Sequence, residues 1–241
     1  MTEQNPSPEL SIEVPAHVRE NHAAIEQRIE AACQRSGRPR SSVTLIGVSK
    51  TFPPSLVDAV VALGVREIGE NRVQELKTKV GQVSATPRWH LIGHVQSNKA
   101  NEAARLADVI HTIDSVRLAE KISLEAGRLG KTLDVLVQVN VGEESQKSGV
   151  SPAGAAELTD AVSRHESLRL RGLMTIPPVA PPEETRRYFA QLRELRDRLA
   201  GSGGSDIFTE LSMGMSDDYE IAIEEGASMI RIGRALFGER Q

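Results

Sequence analysis

VTLIGVSKTFPPSLVDAVVALGVREIGEN, residues 43–71, sets the rhythm of the whole chain. An apolar, β-branched run (VTLIGVS, 43–49) passes through a proline-bearing turn and a helix-period stretch to a second short β-rich run (VREIG, 65–69). Six more such runs follow: RWHLIG (88–93), DVIHTI (108–113), LDVLVQVN (133–140), LRLRGLMTI (168–176), IFTELSM (207–213) and ASMIRIG (227–233). Several are nearly continuous apolar runs, as expected of parallel strands buried on both faces.

Helical patterns separate the runs. In 116–129, Val116, Ala119, Ile122, Ala126 and Leu129 recur three or four apart, and in 183–199 Tyr188, Leu192, Leu195 and Leu199 do the same. Glu183 and Glu184 open the latter and arginines follow, an order that suits the helix dipole. Ser151-Pro152 reads as an N-cap followed by proline at the first helical position, and Ser216-Asp217-Asp218 as another helix start. A further helix over 17–35, with Val18, Ile25, Ile29 and Ala32 on one stripe, precedes the first strand.

Eight alternating βα units with no break between halves predict an α/β fold, a single closed (β/α)8 barrel, rather than an open doubly wound sheet. The chain of 241 residues suits one such domain, expected over 16–241. Residues 1–15 are polar, hold three prolines and lack the basic and apolar regions of a signal peptide, so they are expected to form a disordered arm. PPVAPP (177–182) and GSGGS (201–205) are loop-rich.

Apolar residues make up 39% and charged residues 26%, ordinary values for a globular protein. The net charge of −4 favours neither a nucleic-acid nor an anionic-membrane partner. The single cysteine, Cys33, permits no intrachain disulfide. No run approaches the ~20 apolar residues of a membrane span. A cytosolic protein is expected, acting as a monomer.

Barrels of this kind carry their sites at the C-terminal ends of the strands. The polar residues there are Lys50; Glu70 and Asn71; His90 and His94; Asp114; Asn140; Met174 with Thr175; Ser212 and Ser216; and Arg231, Gly233 and Arg234. Lys50 is either a surface lysine at a strand end or a partly desolvated amine able to attack an aldehyde. SMGMSDD (212–218) is either a capped turn, with Ser216 the cap, or an anion site at a helix start, for which Ser212 is the better ligand. In RIGRALFG (231–238), Gly233 permits a tight turn, and the N–H groups at 233 and 234 could meet phosphate. Arg231 faces an anion or ring nitrogen, or else is salt-bridged within the barrel. Asn71 is an N-cap or a site residue, and His90 a packed strand residue or a site residue. His90 and His94 are four apart but in a strand-to-loop segment, which lacks the geometry of a helical metal pair, so no metal is expected.

Together these segments resemble the pyridoxal phosphate homeostasis protein family. The matches are VSKTFP (48–53), GENRVQE (69–75), WHLIGHVQSNK (89–99), IDS (113–115), VQVN (137–140), GLMTI (172–176), LSMGMSDDYEIAI (211–223) and RIGRALFG (231–238). The resemblance implies a barrel like the N-terminal domain of alanine racemase, with pyridoxal 5'-phosphate (PLP) as cofactor and Lys50 as its Schiff-base lysine. It implies Ser212, Gly233 and Arg234 at the phosphate, the last two through backbone N–H groups. It implies Arg231 near the pyridine nitrogen, and Asn71, His90 and Met174 along the pocket. At Arg234 many family members carry threonine or serine; if a hydroxyl helps hold phosphate there, this protein must rely on the backbone N–H alone. The GSGGS stretch is longer than usual for the family.

The expected function is intracellular PLP homeostasis: reversible binding of PLP and other B6 vitamers, with transient delivery to apo-enzymes and without firm turnover, so that no catalytic residue is assigned. Racemases of this fold add a second β-rich domain and a tyrosine working from the opposite face of the ring. Here Tyr188 and Tyr219 lie in helical stretches, and the chain ends soon after the eighth unit. The alternative is a PLP enzyme with weak racemase, transaminase or lyase activity on amino acids.

Overall fold

The computed structural model describes residues 12–144, 146–201 and 208–239. Eight parallel strands close on themselves in sequence order: β1 (Thr44–Val48), β2 (Glu67–Glu70), β3 (Arg88–Leu91), β4 (Val109–Ile113), β5 (Leu133–Gln138), β6 (Leu168–Met174), β7 (Glu210–Ser212) and β8 (Met229–Ile232). The pairing of β1 with β8, Ile46 opposite Arg231, completes the ring. The barrel expected from the βα rhythm is therefore present. The expected arm lies mostly outside the described residues, as does most of GSGGS.

Helices wrap the outside: α1 (Ala16–Arg35), α2 (Pro54–Ala62), α3 (Val73–Val80), α4 (Ala100–Leu106), α5 (Val116–Arg128), α6 (Ala155–Ser163), α7 (Pro182–Gly201), α8 (Tyr219–Glu224) and α9 (Arg234–Phe237). α1 buries Val18, Ile25, Ile29, Ala32 and Cys33 and packs on α8 and α9. Full burial of one such branched side chain contributes ~1.5–3 kcal/mol. Ser151 caps as read, accepting from Gly154 N, but the turn it starts is a 3-10 turn (Pro152–Gly154) that runs into α6.

Two helical stripes differ from the sequence pattern. On α5, Ala119, Ile122 and Ala126 are buried, whereas Val116 and Leu129 at the ends are exposed. On α7 the inward face is Thr185, Phe189, Leu192 and Leu195, with Tyr188 and Leu199 at its edge. A helix terminus overhangs the sheet it covers, so end positions with the right spacing still meet water. α8 begins at Tyr219, later than expected, and Ser216 does not cap it. Instead Asp218 Oδ1 accepts from Met215 N at 2.6 Å, which closes the preceding turn.

Alternation along the strands separates the helix layer from the barrel interior. A Cβ on Gly47 would touch Leu236, Ile68 and Val60, so its face looks outward. A Cβ on Gly69 would touch Ile46 and Ile92, so its face looks inward. The interior is charged at the strand starts, where Asp134 pairs with Arg88 and Arg169 across three strands. A small apolar cluster of Val109, Leu136 and Met174 lies apart from the main core.

Candidate functional site

A cavity of about 520 Å³ opens at the C-terminal ends of the strands. That is within the usual ~300–1,000 Å³ for a small-molecule site. Lys50, Asn71, Arg231, Gly233 and Arg234 all line it, so five sequence-derived candidates converge on one space.

Lys50 stands two residues beyond β1 and is half-buried. Its surroundings are fixed from the helix layer. Lys79 on α3, itself buried, donates to the carbonyl of Ser49 and to the carboxylate of Glu70. Ser49 Oγ donates to the same carboxylate. Burial pushes the Glu70 carboxyl up, against the opposing hydrogen bonds from Lys79 and Ser49. Glu70 thus faces outward and holds the peptide before Lys50, rather than lining the cavity. After Lys50 the chain bends sharply: Thr51 has φ +70°, and its N–H donates to Glu75 at 3.1 Å. Phe52 then stacks on Phe237, centroids 5.1 Å apart, tying this bend to α9.

Asn71 is not an N-cap, since α3 begins after Arg72 and takes no side-chain cap. It lines the cavity where the β2 and β3 ends touch. A Cβ on Gly93 would fall 2.2 Å from the carbonyl oxygen of Asn71, so only glycine permits this crossing. His94, beyond Gly93, lines the wall and stands 3.2 Å from Asp114.

Arg231 forms part of the floor. It is 3% exposed, donates to Ser212 Oγ at 2.7 Å and to the carbonyl of Thr175 at 2.9 Å, and makes no salt bridge among the described residues. Burial lowers its pKa to about 10, against the pull of Asp218. A buried guanidinium without a carboxylate partner is costly unless an acceptor or anion meets it. The alternative of a salt bridge within the barrel is therefore excluded among the described residues.

Gly233 is not forced by packing: a Cβ there would meet Val48 at 3.5 and 3.7 Å, ordinary contact. Its φ of −104° also lies outside the left-handed region. With ψ −93° the backbone there is neither extended nor helical, so the turn from β8 into α9 falls on this glycine. Arg234 opens α9, where the first N–H groups have no intrahelical acceptor. Its own side chain points to solvent, 3.6 Å from Asp217.

Three candidates lie beneath the wall rather than on it. Ser212 is fully buried, with Arg231 and His111 on its hydroxyl. His90 is fully buried between Glu67 and His111. Met174 is sealed against Val109 and Leu136. All three sit on strands, below the strand-end loops that form the mouth. Asn140 braces its own loop, donating to the carbonyl of Glu144 at 2.8 Å.

Sequence reasoning missed Gln138, Lys147 and Ser148 on β5 and the loop after it, and passed over Ser216 and Asp217 as wall residues. Gln138 Nε2 donates to the carbonyl of Ser148 at 3.2 Å, and Lys147 Nζ to that of Pro177 at 3.1 Å, which draws this loop over the cavity. The usable signal was position: a lysine in the loop after the fifth strand shares the strand-end side with Lys50. His111 was also missed. It lies in DVIHTI on the same strand face as Val109, which packs inside.

Fold and site together define a barrel of the alanine racemase N-terminal type. The family model described as "Alanine racemase, N-terminal domain" matches residues 21–241. Among curated proteins, the pyridoxal phosphate homeostasis protein of Aquifex aeolicus is 42% identical over 224 residues, covering 92% of this chain and 98% of that one. The protein of the same name from Pseudomonas aeruginosa is 43% identical over 225 residues, covering 92% and 96%. The chain belongs to the pyridoxal phosphate homeostasis protein family. Among solved structures, PipY of Synechococcus elongatus with PLP bound is 39% identical, with a TM-score of 0.77, covering 89% of this chain and all of that one.

Proposed function

We propose that this protein holds PLP reversibly in the strand-end cavity, attached covalently at Lys50, and serves PLP homeostasis rather than sustained turnover. The observation that carries this reading is the pairing of Lys50 with Arg231 on one cavity: an amine at the wall and, at the floor, a buried guanidinium without a carboxylate partner among the described residues. When bound, PLP supplies an aldehyde that condenses with an amine and a pyridine ring that withdraws electrons.

Each residue then has a task. Lys50 presents the amine, held in place through the Ser49 carbonyl and Lys79. Arg231, which can only donate, would meet the ring nitrogen of PLP as an acceptor and leave it unprotonated, making the ring a weaker electron sink. The backbone N–H groups at Gly233 and Arg234, at the start of α9, would hold the phosphate, and Ser212 supports Arg231 from below. Asn71 and Gln138 offer polar contacts from the wall. His90 and Met174 act from beneath.

Neither tyrosine lines the cavity. Tyr188 donates to Glu184 on α7, and Tyr219 is buried on α8. No phenol is therefore placed to act as a second base, which supports a carrier over a racemase. The mouth carries the exposed apolar side chains Ile176 and Met215, which suits transient contact with an apo-enzyme.

The test is borohydride reduction of PLP-loaded protein followed by mass spectrometry of its peptides. The expected result is one pyridoxyl adduct, at Lys50. No adduct, or an adduct only elsewhere, overturns the reading.

A further inference from the structure

Lys50 sits in a tight turn whose backbone is held from one helix. The turn runs from Ser49 to Phe52 and is closed by Phe52 N–H, which donates to the Ser49 carbonyl at 3.0 Å. Thr51, its third residue, has φ +70°, and Lys50 before it does not share that sign. A positive φ at the third position alone follows the type II pattern, which favours glycine there. Threonine is β-branched and strained in this region, so the conformation persists only where neighbouring groups hold it.

α3 supplies the holding groups. Glu75 and Lys79 are four residues apart and share one face of that helix. Lys79 Nζ donates to the Ser49 carbonyl, and Glu75 Oε2 accepts from Thr51 N–H at 3.1 Å. These two backbone groups belong to the peptides on either side of the Lys50 Cα. The planes of those peptides fix the direction of the Cα–Cβ bond between them, so the pair on α3 sets where the Lys50 side chain starts out. Glu70 completes the arrangement, since its carboxylate accepts from Lys79 and from the Ser49 hydroxyl and gives the buried ammonium a partner.

Neither Glu75 nor Lys79 lines the cavity. Glu70 and Glu75 open and close on the same helix start, in GENRVQE (69–75), yet neither touches the space where a ligand would sit. Their contacts all lead to the backbone around Lys50 or to the lysine that holds it.

We propose that Glu75 and Lys79 are positioning residues for covalent attachment at Lys50, separate from the groups that anchor the ligand's phosphate. The proposal rests on the reading of the cavity as a PLP site. Attachment condenses the Lys50 amine with the ligand aldehyde: a C=N bond forms, and the two amine hydrogens leave with the aldehyde oxygen as water. An amine already aimed at the aldehyde loses less freedom in that step, so the hold from α3 favours the attached state. The phosphate site at Gly233 and Arg234 belongs to the β8–α9 turn and takes no contact from Glu75 or Lys79. Loosening the Lys50 turn therefore weakens attachment and spares the remainder of binding.

The experiment compares two ligands on the full chain. PLP can condense with Lys50, whereas pyridoxine 5'-phosphate carries an alcohol in place of the aldehyde and cannot. Glu75 is half-buried, so Glu75→Ala removes the acceptor for Thr51 N–H without opening the core. Its PLP affinity, by absorbance titration, is expected to fall about tenfold, the scale of one hydrogen bond to a charged group. Its affinity for pyridoxine 5'-phosphate, by equilibrium dialysis, is expected to stay at the wild-type value. Glu75→Gln still offers an amide oxygen to Thr51 N–H and is expected to recover most of the PLP affinity. Lys79→Met with Glu70→Leu removes the other hold without stranding a buried charge, and is expected to show the same split between the two ligands.

Equal weakening of both ligands in Glu75→Ala would mean a general loosening of the fold and would overturn the proposal. Unchanged PLP affinity in Glu75→Ala would overturn it as well, as would a Glu75→Gln protein no better than Glu75→Ala. A wild-type protein that yields no pyridoxyl group on Lys50 after borohydride reduction would sink the PLP-site reading instead. Hydrogen exchange at the Thr51 amide in ligand-free protein then judges the hold by itself. Exchange is expected to be several-fold faster in Glu75→Ala than in the wild type, and equal rates would show that Glu75 does not hold the turn.

Discussion

Ser212 accepts from Arg231 across adjacent barrel strands, Oγ to Nη1 at 2.7 Å, with neither group open to solvent. Ser212→Ala removes that acceptor and leaves a buried guanidinium with one carbonyl partner among the contacts described. The expected outcome is a stability loss of ~1–3 kcal/mol, the cost of an unmet buried donor. PLP affinity should fall by about tenfold as Arg231 shifts. Urea unfolding and an absorbance titration with PLP would measure the two effects.

Lys50→Ala should abolish covalent attachment yet leave weaker binding by the phosphate and ring contacts. Borohydride reduction would then give no pyridoxyl adduct at that position. Dialysis should still retain PLP above the level of an Arg231→Ala, Lys50→Ala double variant. Complete loss in the single variant would show that the phosphate anchor is misjudged.

The buried pair of Glu70 and Lys79 should respond asymmetrically. Lys79→Met leaves Glu70 as an unpaired buried carboxyl, and ~3–5 kcal/mol of stability should be lost. Replacing both partners (Lys79→Met with Glu70→Leu) should cost less than the sum of the single changes. A double-mutant cycle in urea gives that comparison. Equal additivity would mean the pair does not act as a unit.

The fully buried His111 makes stability depend on pH in a definite sense. Its folded pKa is depressed, chiefly by burial, so the unfolded chain binds a proton that the folded chain refuses. Its contribution is complete above the unfolded value of ~6.5 and is lost as pH falls from there toward the folded pKa. One such proton gives a slope of ~1.4 kcal/mol per pH unit in that window. His111→Gln should flatten the unfolding free energy between about pH 6.5 and 5 relative to wild type. Urea midpoints at three pH values are enough to see it.

Gly93→Ala should fail for a local reason. The added carbon would sit 2.2 Å from the Asn71 carbonyl oxygen, which is backbone and cannot swing away. A loss of ~1–3 kcal/mol is expected, together with weaker PLP binding as the Asn71 loop moves. A variant with wild-type melting temperature and affinity would show that the crossing is more pliable than its geometry implies.

The barrel was legible because its signal is collective. Eight β-rich runs at regular intervals leave few topologies, even though single strands such as Glu210–Ser212 are very short. The strand-end rule then found Lys50, Asn71, Arg231, Gly233 and Arg234, because each follows or ends a run that can be seen in the sequence. Lys147 and Ser148 escaped because their loop folds back over the cavity through hydrogen bonds to distant carbonyls, a tertiary event without a local signature. Ser216 was misread because a helix start and a turn closed by Asp218 begin with the same residues. The depth of Ser212, His90 and Met174 depended on the stagger of neighbouring strands, which pattern alone leaves open.

The left-handed bend at Thr51 gives Lys50 an address written in odd and even numbers. Ile46 faces the barrel axis and Gly47 the helices, and Lys50 keeps the parity of Ile46 up to the point where the chain turns away. Deleting a single residue from β1 would preserve its apolar character and its length class, yet would deliver the amine to the outer wall, against Leu236 and Val60. For this protein, counting matters more than chemistry along that strand.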